Sequence, residues 1–170
     1  MQTVPAQRRC QSGFTLVELL SVIAVTGVLT ATAMPRLTAL AGEARYAALQ
    51  TAAGALMSTA ATAHGRFMIN GDANQIFEDA TVSMVHGYPG AGAGTFDAAG
   101  LARGFTVYTA ASGPTATTPA VAAGSMAIVP NALAGTARAL NCYLVYTESR
   151  APNKPPVVTI GGETSADNCT

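Results

Sequence analysis

The sequence predicts an α+β chain: one long amino-terminal helix, apolar in its first half, followed by a small antiparallel β-sheet. Three observations carry that expectation. From Phe14 to Met34 the chain is apolar or hydroxyl-bearing, and Glu18 is its one charge. From Arg36 to Ala63 it is alanine-rich and free of proline, and Tyr46, Leu49, Ala53, Leu56 and Ala60 step by three and four along one helix face. Beyond Gly104, four short β-branched or aromatic runs are bounded by Gly, Pro, Asn or Ser.

The apolar run is long enough to cross a bilayer core, about 21 residues or ~31 Å as a helix. A short polar leader with Arg8 and Arg9 precedes it. Gly27 lies mid-run and Pro35 ends it. The β-branched Val25, Thr26, Val28, Thr30 and Thr32 around Gly27 weaken helix propensity there, and a kink is expected at Pro35. The second half of the helix reads to Ala63, with Gly42 and Gly54 permitting close packing. Residues from Gly65 to Gly104 read as irregular, with turn chemistry at Asn70-Gly71-Asp72 and at His86-Gly87-Tyr88-Pro89-Gly90. Strands are expected at Phe105–Tyr108, Met126–Val129, Cys142–Tyr146 and Val157–Ile160. Ala110–Ala123, rich in Thr, Ala, Pro and Gly, reads as an exposed loop.

Composition narrows the function classes. The chain has 170 residues, one domain by size, and is 11% charged with nine basic and nine acidic side chains. Neither a nucleic-acid face nor a basic stripe follows from that balance. Trp is absent and large apolar residues thin out after Leu56, so the core is small and benefits from a covalent staple. His64 and His86 lack a nucleophile motif beside them and read as ordinary loop or surface histidines. Asp72, Glu78 and Asp79 do not have the spacing of a calcium-binding helix–loop–helix and read as solvated carboxylates. Gly90-Ala91-Gly92-Ala93-Gly94 follows no predicted strand and reads as linker, not phosphate loop. No catalytic residue, metal site or cofactor is expected.

The apolar run has three ordinary explanations. A secretory signal peptide uses Arg8 and Arg9 as its basic region and is cut after Ala33 in Ala31-Thr32-Ala33. Arg8-Arg9 followed by Cys10-Gln11 is a poor twin-arginine signal, and a plain signal anchor is the third. None accounts for Glu18, whose lone carboxylate costs about 3 kcal/mol in a bilayer by insertion scales.

Gly13-Phe14-Thr15-Leu16-Val17-Glu18-Leu19-Leu20 resembles the signal of type IV prepilins and pseudopilins. The resemblance implies cleavage between Gly13 and Phe14 by a prepilin peptidase, N-methylation of Phe14, and a role for Glu18, with Gly27 and Pro35, in assembly. It also implies the type IV pilin fold, a homo-oligomeric helical filament, and an inner-membrane assembly machinery as partner. The location implied is the bacterial inner membrane, single-pass, before assembly and the extracellular pilus after it. Within the family, Pro35-Arg36-Leu37 through Gly42-Glu43-Ala44-Arg45, Ala48-Leu49-Gln50, Gly87-Tyr88-Pro89 and Cys142-Tyr143-Leu144-Val145-Tyr146 resemble pilins of the mannose-sensitive haemagglutinin (MSHA) branch. The Ala/Thr-rich insert and Pro152–Pro156 depart from that pattern. A type II secretion pseudopilin is the alternative within the same signal class.

The expected organisation is a leader over 1–13, a transmembrane and assembly segment over 14–35, the second helix half over 36–63, and a β-rich head over 64–170. Cleavage removes Cys10, which leaves Cys142 and Cys169 as an even pair in an exported chain. That pair reads as one disulfide, against free thiols or a metal pair that no nearby His or Cys completes.

Overall fold

The computed structural model describes residues 14–78, 80–109 and 111–170, which fall into two compact units divided between Leu37 and Thr38. Helix α1 spans Leu16–Asn70 and runs through Pro35. In the first unit every described residue is exposed. The hydroxyls of this apolar stretch are satisfied within the helix. Thr26 Oγ1 donates to Val22 O at 2.7 Å, Thr30 Oγ1 to Thr26 O at 2.7 Å, and Thr32 Oγ1 to Leu29 O at 2.9 Å. Back-bonding of this kind lets a threonine-rich segment stay helical without presenting bare donors to an apolar surround.

In the second unit α1 buries Gly42, Leu49, Ala52, Leu56, Ala60 and Ala63. Leu49 and Leu56 are fully buried, and Ala52 rather than Ala53 lies at the centre of the face. Tyr46 and Ala53 sit at its margin. Gly42 is a close approach, since a Cβ there would stand 2.2 Å from Ala166 O, whereas Gly54 has nothing within 4 Å. The close packing expected at both glycines occurs at Gly42 alone.

Four strands form an antiparallel sheet in chain order: β4 (Phe105–Tyr108), β5 (Ser125–Pro130), β6 (Leu144–Thr147) and β7 (Val157–Ile160). Met126 lies opposite Tyr146 and Ile128 opposite Leu144. These four side chains join Leu49, Ala52 and Leu56 in one buried cluster, so helix and sheet share a core. Tyr146 OH donates to Pro89 O at 2.6 Å. Burial, and secondarily the Glu148 carboxylate, pushes this phenol well above the ordinary tyrosine value, so it stays a donor.

Among the described residues from Gly65 to Gly104, regular elements stand where irregular structure was expected. Helix α1 continues past Gly65 to Asn70. His64 stacks on Tyr88 with ring centroids 4.1 Å apart and its Nδ1 lies 2.7 Å from Gly87 O. Those contacts outweigh the glycine penalty of about 1 kcal/mol. Gly71, at φ 70°, then ends the helix, its N–H bonded to Phe67 O at 2.7 Å. Strands β1 (Asn74–Phe77), β2 (Ala80–Val85) and β3 (Tyr88–Pro89) make a second, three-stranded antiparallel sheet. The β2–β3 turn is His86-Gly87, at φ 52° and 83°, the left-handed pair that a two-residue hairpin demands. The glycine run leads into a short helix, α2 (Ala93–Ala98), where a Cβ on Gly94 would stand 2.0 Å from Thr81 O. Ala110–Ala123 is mostly exposed, as expected, but a bridge between Ser112 and Val121 holds it, and Pro119 and Val121 are buried. Ala110 itself lies outside the described residues.

Cys142 and Cys169 form a disulfide with Cα atoms 5.1 Å apart, both fully buried. It ties the carboxyl-terminal segment to the entry of β6. Arg45 of α1 reinforces the tie by donating to Cys169 O at 2.7 Å. Closing this loop contributes about 3.5 kcal/mol on the chain-entropy account. Replacing either cysteine by alanine is expected to lower unfolding stability of the detergent-solubilised chain by about 2–5 kcal/mol. Urea unfolding with and without reductant checks it. An unchanged midpoint in both variants contradicts the staple.

Candidate assembly site

The first turn of α1 is built by Thr15. It precedes the first helical residue, and its Oγ1 accepts the Glu18 N–H at 3.2 Å. Thr15 and Glu18 have the spacing of a capping box, in which a hydroxyl residue opens the helix and an acid stands three positions on. Glu18 is also the acidic residue of the first turn, where the helix dipole favours negative charge. Sequence reasoning gave Glu18 an assembly role through the family resemblance and missed this local one, although Thr-x-x-Glu ahead of an apolar run was visible. The cap explains how a helix can start there. It leaves the exposed carboxylate side chain available.

The surface around Glu18 is apolar. Phe14 is 88% exposed, Leu16 81% and Val17 73%. Leu19, Leu20, Val22, Ile23, Val25, Val28 and Leu29 are all more than half exposed. An 18-residue window of α1 has mean hydropathy 2.0 and none of it is buried, so by length and composition the helix can cross a membrane. Gly27 lies within it with nothing within 4 Å of a built Cβ, so its lack of a side chain opens a gap on the helix surface. Pro35 follows within the same helix. Glu18, Gly27 and Pro35 thus share one exposed helical segment with Phe14 two residues ahead of it, whereas Cys142 and Cys169 lie together in the second unit. Gly13, Cys10 and the remainder of the leader lie outside the described residues.

The other titratable candidates take separate places. His64 and His86 each bond a backbone carbonyl, Gly87 O and Ser149 O respectively. Asp72 and Glu78 are exposed, and Asp79 lies outside the described residues. Among the described residues no three His, Cys, Asp or Glu side chains gather where a metal ion would sit. Glu148, which the sequence did not single out, accepts the Ala91 N–H on Oε2 at 2.9 Å and so links the β6 end to the start of the α2 segment.

No curated protein and no solved structure gives a significant match to the chain. A family model does: residues 8–34 match the prokaryotic N-terminal methylation motif. The match takes in Arg8 and Arg9, the Gly13–Phe14 junction, Glu18 and the whole apolar run, and it marks the chain as carrying a type IV pilin or pseudopilin signal.

Proposed function

We propose that this chain is the structural subunit of a type IV pilus, of the MSHA-like branch, assembled into a surface filament for attachment. The observation that carries the reading is Glu18. It is the one charge between Phe14 and Met34, a stretch exposed throughout, and is the fifth residue after the Gly13–Phe14 junction. In this reading residues 1–13 are a cytoplasmic leader, 14–35 cross the inner membrane, 36–63 continue the helix, and 64–170 form the exported head. Arg8 and Arg9 agree with the positive-inside rule.

The chemistry acting on the chain is hydrolysis by a prepilin peptidase. Water splits the Gly13–Phe14 peptide bond, leaving a carboxylate on Gly13 and an ammonium on Phe14. Methylation of that amine preserves its cationic form. As a subunit moves from lipid into the filament, its Glu18 meets the Phe14 cation of a neighbour. Both charges leave the membrane interface together, and the pairing is sensitive to geometry in a low dielectric, so it sets axial register. Its net contribution to stability is small because desolvation offsets the attraction. Gly27, Pro35 and the β-branched residues between them make the intervening stretch the one that opens most cheaply on packing. The MSHA-like assignment rests on the residue likenesses in the helix and the Cys142–Tyr146 strand. The paired cysteines near the carboxyl end favour a pilus over a type II secretion pseudopilus.

Two measurements test this reading. Mass spectrometry of the exported protein is expected to give an amino terminus at Phe14 carrying one methyl group. A terminus at Met34 restores the secretory signal and overturns the pilin reading.

Glu18→Ala separates membrane residence from assembly. Removing the charge makes the helix more apolar, so insertion and cleavage persist. The neighbour's Phe14 cation loses its partner. Immunoblots are expected to show normal levels of processed subunit, and electron microscopy few or no surface filaments. Wild-type filament numbers in the variant contradict an assembly role for Glu18. Filaments confined to the periplasm point to the pseudopilus.

A further inference from the structure

The connection between β6 and β7, residues 148–156, is closed at its base by the pairing of Thr147 with Val157. Its own bonds hold it in one shape. Ser149 is buried, and its Oγ donates to Ala151 O at 2.9 Å. The Lys154 N–H donates to the same oxygen at 3.2 Å. Asn153 sits at φ 62°, the left-handed region that asparagine tolerates. Pro152, Pro155 and Pro156 fix their own φ angles. His86 Nδ1, 3.0 Å from Ser149 O, ties the connection to the β2–β3 turn.

A concavity of about 360 Å³ opens at this connection, lined by Thr147, Glu148, Arg150, Lys154, Pro155 and Val157. Three kinds of group meet there. Arg150 and Lys154 are exposed cations, and among the described residues neither side chain has a hydrogen bond or an ion pair. Glu148 stands beside them, but its carboxylate is anchored elsewhere. Its Oε2 accepts the Ala91 N–H at 2.9 Å, and a Cβ on Gly124 would stand 2.7 Å from its Oε1. The acid therefore stays with Ala91 and leaves both cations unpaired. Pro155 and Val157 add exposed apolar surface.

This lining selects a ligand by its chemistry. A guanidinium offers parallel N–H groups that match a carboxylate, and an ammonium adds a point charge. Two cations sharing one concavity repel each other, and an anion between them relieves the repulsion. A phosphate carries more negative charge than a carboxylate and would press against the fixed Glu148. Ionised Glu148 accepts hydrogen bonds and donates none, so the ligand groups beside it are donors, as hydroxyls are. Apolar C–H groups suit Pro155 and Val157. A pre-ordered loop gives up little conformational entropy on binding.

We infer that this concavity binds a sugar acid, with the carboxylate between Arg150 and Lys154, hydroxyls toward Glu148 and the C–H face on Pro155 and Val157. The site belongs to the second unit and stands apart from Glu18 and from the assembly reading.

The test titrates the detergent-solubilised full-length chain by ligand-observed NMR, with D-galacturonate, D-galactose and inorganic phosphate as probes. Galacturonate is expected to bind about tenfold more tightly than galactose or phosphate. Arg150→Ala and Lys154→Ala are each expected to weaken galacturonate about tenfold. Arg103→Ala removes the same charge from an exposed arginine outside the concavity and is expected to stay within about twofold of wild type. Absence of galacturonate binding overturns the proposal, as does phosphate or galactose binding of equal strength. An equal loss in the Arg103 variant also overturns it, because attraction by net charge alone then accounts for the binding. If a variant lowers the urea midpoint, trypsin cutting of the wild-type chain after Arg150 decides. Galacturonate at about four times its Kd is expected to slow that cut about fivefold, and galactose at the same concentration to leave it unchanged. A cut that galacturonate does not slow overturns the site. None of these readouts counts filaments, so the pilus reading and this site fail separately.

Discussion

An exposed apolar helix cannot persist in water, and the first half of α1 is one. From Phe14 to Leu40 every residue is exposed, and Phe14, Leu16 and Val17 are exposed by more than 70%. At about 25 cal/mol per Å² of apolar surface, covering such a segment is worth tens of kcal/mol. Lipid can cover it, and so can identical helices. A chain with this surface therefore has two acceptable environments, and in the proposed function the subunit passes from one to the other. In that proposal Glu18 is the side chain that distinguishes them, because in lipid it has no partner of its own, while among copies the Phe14 cation of a neighbour would supply one.

The second unit answers a different constraint. It is short of large apolar residues, so its core depends on close approach and on local bonds. Gly42 lets α1 sit against Ala166, and Gly94 lets α2 sit against Thr81. The Cys142–Cys169 link and Arg45 hold the carboxyl-terminal segment. Tyr146 of β6 bridges to Pro89 and Glu148, just past the strand, to Ala91, so these two side chains tie the four-stranded sheet to the segment that carries the small one. With its own core and staple, this unit keeps its surface loops fixed.

Much of this was legible in the sequence, and the exceptions have physical causes. The apolar run and the helix face through Leu49 and Leu56 are long, regular signals, and the strands expected at Phe105–Tyr108, Met126–Val129, Cys142–Tyr146 and Val157–Ile160 stand out as β-branched or aromatic runs between breakers, the third beginning two residues later, at Leu144. The helix end was misplaced at Ala63 because Gly65 looks like a stop. His64 and Phe67 override it through contacts with the β2–β3 turn, and the true stop is Gly71 at φ 70°. The small sheet was missed because β3 has only two residues and β1 opens on Asn74-Gln75, with Asn among the residues depleted from strands. Gly90 to Gly94 looks like linker until Thr81 O is seen against Gly94. At the candidate site, the Thr15–Glu18 cap was readable but hidden behind the stronger signal in the same residues.

The central claim is that Glu18 of one copy meets the amino terminus of another. A density map of the intact filament, resolved to side chains, measures this most directly. The account predicts a Glu18 carboxylate oxygen about 3 Å from the methylated Phe14 nitrogen of a neighbouring copy, with both enclosed by apolar side chains. A filament whose Glu18 faces solvent, or whose Phe14 nitrogen is held by another group, contradicts it.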